Sequence, residues 1–322
     1  MKRLLVIFYL FFIFPIFPKI IITHGVFGLE SSWYKQGGDF YEAVNKVATQ
    51  TNKEVISFSW KQPLGGVSHK ERFDAGKELA KLVIDLTSKG EKEIIAIGHS
   101  YGGHVIKAAS QILAVALDYQ VITAPVLVAN RIPQDLTLDE KEFFKKACEE
   151  IREYKDKKNF SKDLKKEYLL DAVYTLGTPL DLSDYYANMN VIQFLFNIYS
   201  EGDIAQDLVG GVILPLPRHE RAVNLNITVE AGGWFGTEKP THLGMHAEEI
   251  GKWILLIPFY LMEEMIGNFN KFSFKYDGKI NFKRNRNPFY TTNYQNATDT
   301  GAFSKYDLNW LKNKIKFLRE LC

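Results

Sequence analysis

The sequence predicts an α/β fold: a mostly parallel β-sheet flanked by helices, with a helical insertion and a C-terminal β-hairpin extension. Three observations carry that expectation. Short β-branched runs alternate with segments of helical periodicity through the first third of the chain. Each run ends in a polar or glycine-containing loop, as it must if the chain is to cross back over a sheet. No internal repeat, low-complexity tract or long linker divides the 322 residues, of which 46% are hydrophobic, so one enlarged domain can bury the core.

Taken in order, Lys19 to Thr23 is the first clear strand and stops at His24-Gly25. A polar loop leads into Asp39 to Gln50, which has helical character. Val55 to Trp60 alternates in part between apolar and small polar residues, the period of a half-buried strand. A helix follows, because Ala75, Leu79, Leu82, Val83 and Leu86 recur at three- and four-residue spacing and Lys89-Gly90 supplies a stop. Ile94 to Ile97 is the next strand, and His104 to Ala109 continues as helix after a glycine-flanked turn.

From about Tyr119 to Tyr168 the alternation breaks into a long charged stretch of helical periodicity, read as an insertion of about 119–170. It serves either as a solvated helical excursion or as a lid over a site. Strands return at Ala172 to Leu176, Ile192 to Tyr199 and Ala222 to Val229, and a core helix begins near Ile250. Asp277-Gly278 lies between two alternating runs, Phe272 to Tyr276 and Lys279 to Lys283, and predicts a tight hairpin there. A short helix near Leu308 to Leu321 closes the chain. The resulting division is an apolar segment 1–18, a main domain 19–266 and a C-terminal extension 267–322.

Forty basic and thirty-eight acidic residues leave a net charge of +2, which gives no basis for a nucleic-acid partner. Cys148 and Cys322 fit no metal or redox spacing. Met1-Lys2-Arg3 followed by the apolar run Leu4 to Phe14 suits a signal h-region or short anchor, being too short to span a membrane. This predicts an exported or membrane-associated protein, the alternative being a cytoplasmic one with the run buried as a strand.

The chemistry centres on Gly98-His99-Ser100-Tyr101-Gly102, set between a strand and a helix. A serine hydroxyl is a poor nucleophile at neutral pH and has to be held proud of the backbone near a base. G-x-S-x-G on a strand-to-helix turn does this. Further along, Asp203 follows Ser200-Glu201-Gly202 at a strand end, and His242 stands in Thr241-His242-Leu243-Gly244 before the helix through Trp253. The order is nucleophile, acid, base.

With these residues the chain resembles an α/β-hydrolase of the lipase and esterase kind, a likeness extended by His24-Gly25-Val26-Phe27 and Leu176-Gly177-Thr178-Pro179 and covering about Lys19 to Trp253. The resemblance implies a serine hydrolase that cleaves carboxylic esters, lipid esters included, through an acyl-enzyme and without cofactor or metal. It implies catalytic Ser100, Asp203 and His242, with oxyanion donors at the backbone amides of Val26 and Tyr101. Asp181, Asp184 and Asp207 compete for the acid, and His246, one helical turn from His242, for the base. His24 and His99 read as packing residues. An amidase, thioesterase or acyltransferase would use the same groups, and a catalytically silent relative would bind through the insertion or the hairpin.

Overall fold

A computed structural model describes residues 18–26, 28, 30–50, 52–61, 68–119, 137–158, 160, 167–179, 187–203, 222–230, 237–255, 257, 276–282 and 289–292. The predicted apolar run Leu4 to Phe14 and the final helix from Leu308 lie outside these residues.

Strand β1 (Lys19–Thr23), helix α1 (Asp39–Gln50), β2 (Glu54–Phe58), α2 (His69–Ser88), β3 (Ile94–His99), α3 (Tyr101–Ala116) and α4 (Leu138–Lys157) come first in the chain. They are followed by β4 (Leu170–Leu176), β5 (Ile192–Tyr199), β6 (Ala222–Glu230), β7 (Thr237–Glu238), α5 (Glu248–Ile254), β8 (Tyr276–Phe282) and β9 (Phe289–Thr292). The sheet order is β2-β1-β3-β4-β5-β6-β8-β9, with β7 paired to β6. Every neighbouring pair from β2 to β8 is parallel. This is the predicted α/β fold.

Strand periodicity sends alternate side chains to opposite faces. Ile20, Ile22, Ile95, Ile97, Tyr174 and Phe196 join one apolar cluster with Phe40 and Val44 of α1 and Trp253 and Ile254 of α5. Ile21, Ile94, Ala96, Val173 and Leu195 join the other, with Leu79 and Val83 of α2 and Val105 and Ile112 of α3. Both faces are thus covered, which is why the central strands read as continuous apolar runs. Each fully buried Ile or Leu contributes about 1.5–3 kcal/mol.

The charged insertion contains α4, whose Phe144, Ala147, Cys148 and Ile151 are buried while the rest of the helix is largely solvated. Their spacing of three and four residues puts them on one face. The Phe73 and Phe144 rings lie 5.2 Å apart, and Tyr154 Oη donates to Asp85 at 2.9 Å. Helix α4 therefore belongs to the helical layer beside α2 and α3, rather than standing off in solvent. A reciprocal cap begins it: the Glu140 amide donates to Thr137 Oγ1 and the Thr137 amide to Glu140 Oε2.

The C-terminal hairpin exists, but its turn is not at Asp277-Gly278. Strand β8 runs straight through that pair, Gly278 facing Leu225 of β6 on one side and Thr292 of β9 on the other. A parallel partner on β6 extends the ladder through a dipeptide that would turn in an isolated ribbon. The antiparallel return to β9 comes after Phe282 instead.

Candidate active site

Strand β1 is followed by β2 on one side and β3 on the other, so chain direction across the sheet reverses between β1 and β3. In open α/β sheets the carboxyl ends at such a reversal form the ligand crevice. His24-Gly25-Val26 leaves β1 there and Ser100 leaves β3 there. Their backbones nearly touch: a Cβ on Gly25 would sit 2.6 Å from Ser100 Cβ and 3.1 Å from Ser100 Oγ.

Ser100 has φ 54° and ψ −129°, a conformation L-residues avoid and which costs on the order of 1–3 kcal/mol. Surrounding structure holds it. The Ser100 amide donates to Leu176 O of β4 at 2.8 Å. A Cβ on Gly98 would lie 2.6 Å from the Gly102 carbonyl carbon, so the turn closes only with glycine there. Serine at a helix start normally caps an amide with its hydroxyl. Here Ser100 precedes α3 without doing so, leaving Oγ uncommitted.

The acid and base loops meet beside it. Ser200 shapes the acid's turn, accepting from the Gly202 amide at 3.1 Å through Oγ and from the Asp203 amide at 3.1 Å through its carbonyl. Asp203 is fully buried. His242 Nδ1 lies 3.0 and 2.9 Å from the two Asp203 carboxylate oxygens, so Nδ1 carries the proton and a neutral ring leaves the Nε2 lone pair available. Lys239 and Glu201 pair at 2.7 Å across the two loops. No hydrogen bond joins Ser100 Oγ to His242 among the described residues; such bonds are commonly long or misaligned before substrate binds.

His99, the residue before the nucleophile candidate, connects the halves. Strand alternation points it to the α1 and α5 side, where its Nε2 donates to the His242 carbonyl at 2.9 Å and its ring lies 4.7 Å from the His242 ring. His246 stacks on Trp33 at 4.5 Å and meets His99 edge-on at 4.9 Å. His242, not His246, thus holds the carboxylate contact. Asp181, Asp184 and Asp207 lie outside the described residues. His24 donates through Nδ1 to Gly25 O at 2.8 Å and accepts the Trp60 amide at Nε2, 3.2 Å, pinning the β1 loop to β2's end.

Burial lowers the proton affinity of His99, aided by the neighbouring His246 and His242, and burial with Lys107 and Arg72 nearby does the same for His104. Both stay neutral in the folded chain where the unfolded chain takes up protons. Stability therefore falls as pH drops below about 6.5, by about 1.4 kcal/mol per pH unit for each group, and levels off below the depressed folded values. Urea unfolding followed from about pH 7 to about pH 5 is expected to show a steadily falling midpoint; a flat midpoint contradicts neutral burial of these rings.

Gly28 N donates to Gly25 O at 3.2 Å, closing a turn that leaves Val26 at its corner. Neither the Val26 nor the Tyr101 amide donates to a backbone acceptor among the described residues. Both flank Ser100, one through Gly25 and one through the chain. The sequence reading missed a buried polar ladder beneath the site: Thr175 Oγ1 donates to Asn197 Oδ1 and Asn197 Nδ2 to Asn224 Oδ1, each at 3.0 Å. Polar residues within three otherwise apolar strands were its only signal. No metal-holding cluster of His, Cys, Asp or Glu occurs among the described residues, nor any helix long and apolar enough to cross a membrane. Compared with protein-family models and with curated proteins, the chain matches none.

Proposed function

We propose that this chain is an α/β-hydrolase-like serine hydrolase that cleaves carboxylic esters, lipid esters among them, through an acyl-enzyme. The single observation behind the reading is the Asp203 to His242 contact, 2.9 and 3.0 Å, beside a serine held in a strained turn with an uncommitted hydroxyl. Strain and an uncompensated geometry are retained where they serve chemistry.

In the proposed reaction Ser100 Oγ attacks the ester carbonyl carbon while its proton passes to His242 Nε2. Asp203, hydrogen-bonded to Nδ1, keeps the proton-accepting nitrogen facing the serine and stabilises the imidazolium. The amides of Val26 and Tyr101 receive the developing oxyanion. Collapse expels the alcohol, which leaves with the proton from His242. Water then attacks the acyl-Ser100 ester, giving its proton to His242, and the acid departs as Oγ is reprotonated. Electrostatic stabilisation at the oxyanion is worth about a hundred- to a thousandfold per donor.

His99 acts here as a positioning residue, through the His242 carbonyl. His99→Phe keeps a ring but deletes the donor, and is expected to lower kcat by about ten- to a hundredfold at little change in KM, while His99→Gln, which retains an N–H, recovers most of it. Equal losses in the two variants would remove the tether's role.

A panel of p-nitrophenyl esters of increasing acyl length tests the reaction class. Turnover with saturable kinetics is expected, and its chain-length profile separates an esterase from a lipase. An absence of turnover across the panel, with amides and thioesters hydrolysed instead, would replace the ester assignment.

A further inference from the structure

Lysine 107 is the least expected charge in the molecule. It lies two turns into α3, is 2% exposed, and has neither an ion pair nor a side-chain hydrogen bond among the described residues. An isolated buried ammonium is costly, and a methionine or leucine would fill the same volume without that cost. Gly103, one turn earlier on the same helix face, packs on Thr178, where a Cβ would fall 2.0 Å from the hydroxyl oxygen. Thr178 Oγ1 is itself buried and has no hydrogen-bond partner.

Ser110 and Gln111, further along this helix, are spoken for. Ser110 Oγ donates to Lys107 O at 2.6 Å and accepts the Asn188 amide at 2.9 Å, and Asn188 Nδ2 donates to Gln111 at 3.2 Å. Glu140, at the start of α4, lies 3.5 Å from His69. Long side chains on a helix lean toward its N-terminus, and Lys107 follows Ser100 by two turns on the same stripe of α3. Arg72 adds a second buried cation there, its guanidinium 5.0 Å from the centre of the Tyr101 ring. Burial, with Arg72 nearby, brings the Lys107 ammonium down to about 8, still mostly charged at neutral pH. The α3 N-terminus favours negative charge in the same place.

We infer that Lys107 and Thr178 form a subsite for an anionic group carried by the substrate, a carboxylate or a phosphate, so that Ser100 acts preferentially on negatively charged esters. The inference rests on the hydrolase reading for its substrate side, while anion binding itself stands apart from it. In the bound complex the ammonium and the threonine hydroxyl donate to the anion's oxygens and Arg72 adds its field; the ester carbonyl then reaches Ser100 at the helix start.

The test uses full-length protein and matched p-nitrophenyl esters: butyrate as the neutral arm, hemiglutarate as the carboxylate arm and a phosphate-bearing acyl ester as the third. Wild type is expected to favour one or both anionic arms by about ten- to a hundredfold in kcat/KM, the larger ratio naming the group. Lys107→Met is expected to bring the anionic-to-neutral ratio close to unity, and Thr178→Val to reduce it several-fold. Melting temperature with glutarate or inorganic phosphate gives a second readout free of catalysis: the anions raise it in wild type and not in Lys107→Met. If no ester is turned over, the hydrolase reading falls, and the melting experiment still decides the subsite. An unchanged ratio in Lys107→Met, or no anion effect on wild-type melting, overturns it. Should Lys107→Met fail to fold, Thr178→Val carries the comparison on the same criteria.

Discussion

Ser100→Ala is expected to lower kcat toward esters by about a millionfold, the loss seen when a triad nucleophile is deleted, with only binding and oxyanion stabilisation left behind. The same change is expected to leave folding stability within about 0.5 kcal/mol. Both halves follow from the geometry. Ser100 makes no capping hydrogen bond with its hydroxyl, so the fold loses no contact when it goes. The backbone strain at φ 54° stays, because alanine must adopt the same turn. A stabilising role for the serine would give the opposite pattern, activity kept and stability lost. Initial rates on a p-nitrophenyl ester, together with urea unfolding of both proteins, make the comparison; residual activity within about tenfold of wild type would mean that another group is the nucleophile.

Asp203→Asn is expected to lower kcat by about ten-thousandfold with the site's shape preserved. As a fully buried carboxylate Asp203 only accepts, which forces the His242 proton onto Nδ1 at 2.9 and 3.0 Å. An asparagine amide turned toward Nδ1 donates instead. The ring's proton then moves to Nε2, which in the proposed reaction accepts from Ser100 and now cannot. Loss of the carboxylate also removes the counter-charge for the imidazolium formed during attack. kcat measured on the same ester reads this directly, and a loss of less than about tenfold would show that His242 does not depend on Asp203 for its tautomer.

Much of the architecture was legible because parallel strands buried on both faces must be apolar throughout. Lys19–Thr23, Asp39–Gln50 and Ile192–Tyr199 were read with the bounds the structure has. Where context overrode a local signal, the reading slipped. Asp277-Gly278 is a turn pair in isolation, yet pairing with Val223 to Val229 of β6 keeps it extended. The capping box of Thr137 and Glu140, which marks the start of α4, was not read from the sequence.

At the site, G-x-S-x-G announced a strand-to-helix turn because only that turn needs glycine at both ends. The sequence favoured His242 over His246 for its place in the loop before the helix through Trp253; the stacking of His246 on Trp33 is a tertiary fact. His99 looked like packing and proves also to hold the His242 carbonyl. Lys107 sat in a plain helical run, and nothing in its spacing disclosed that it would be buried.

The central claim is that Ser100 is an activated nucleophile, and a fluorophosphonate probe reads this most directly. Wild-type protein treated with the probe and digested is expected to carry one phosphonyl adduct, on the peptide containing Ser100, while Ser100→Ala carries none and Asp203→Asn reacts far more slowly. Wild-type protein that takes up no probe, or labels to the same extent as Ser100→Ala, would contradict the account.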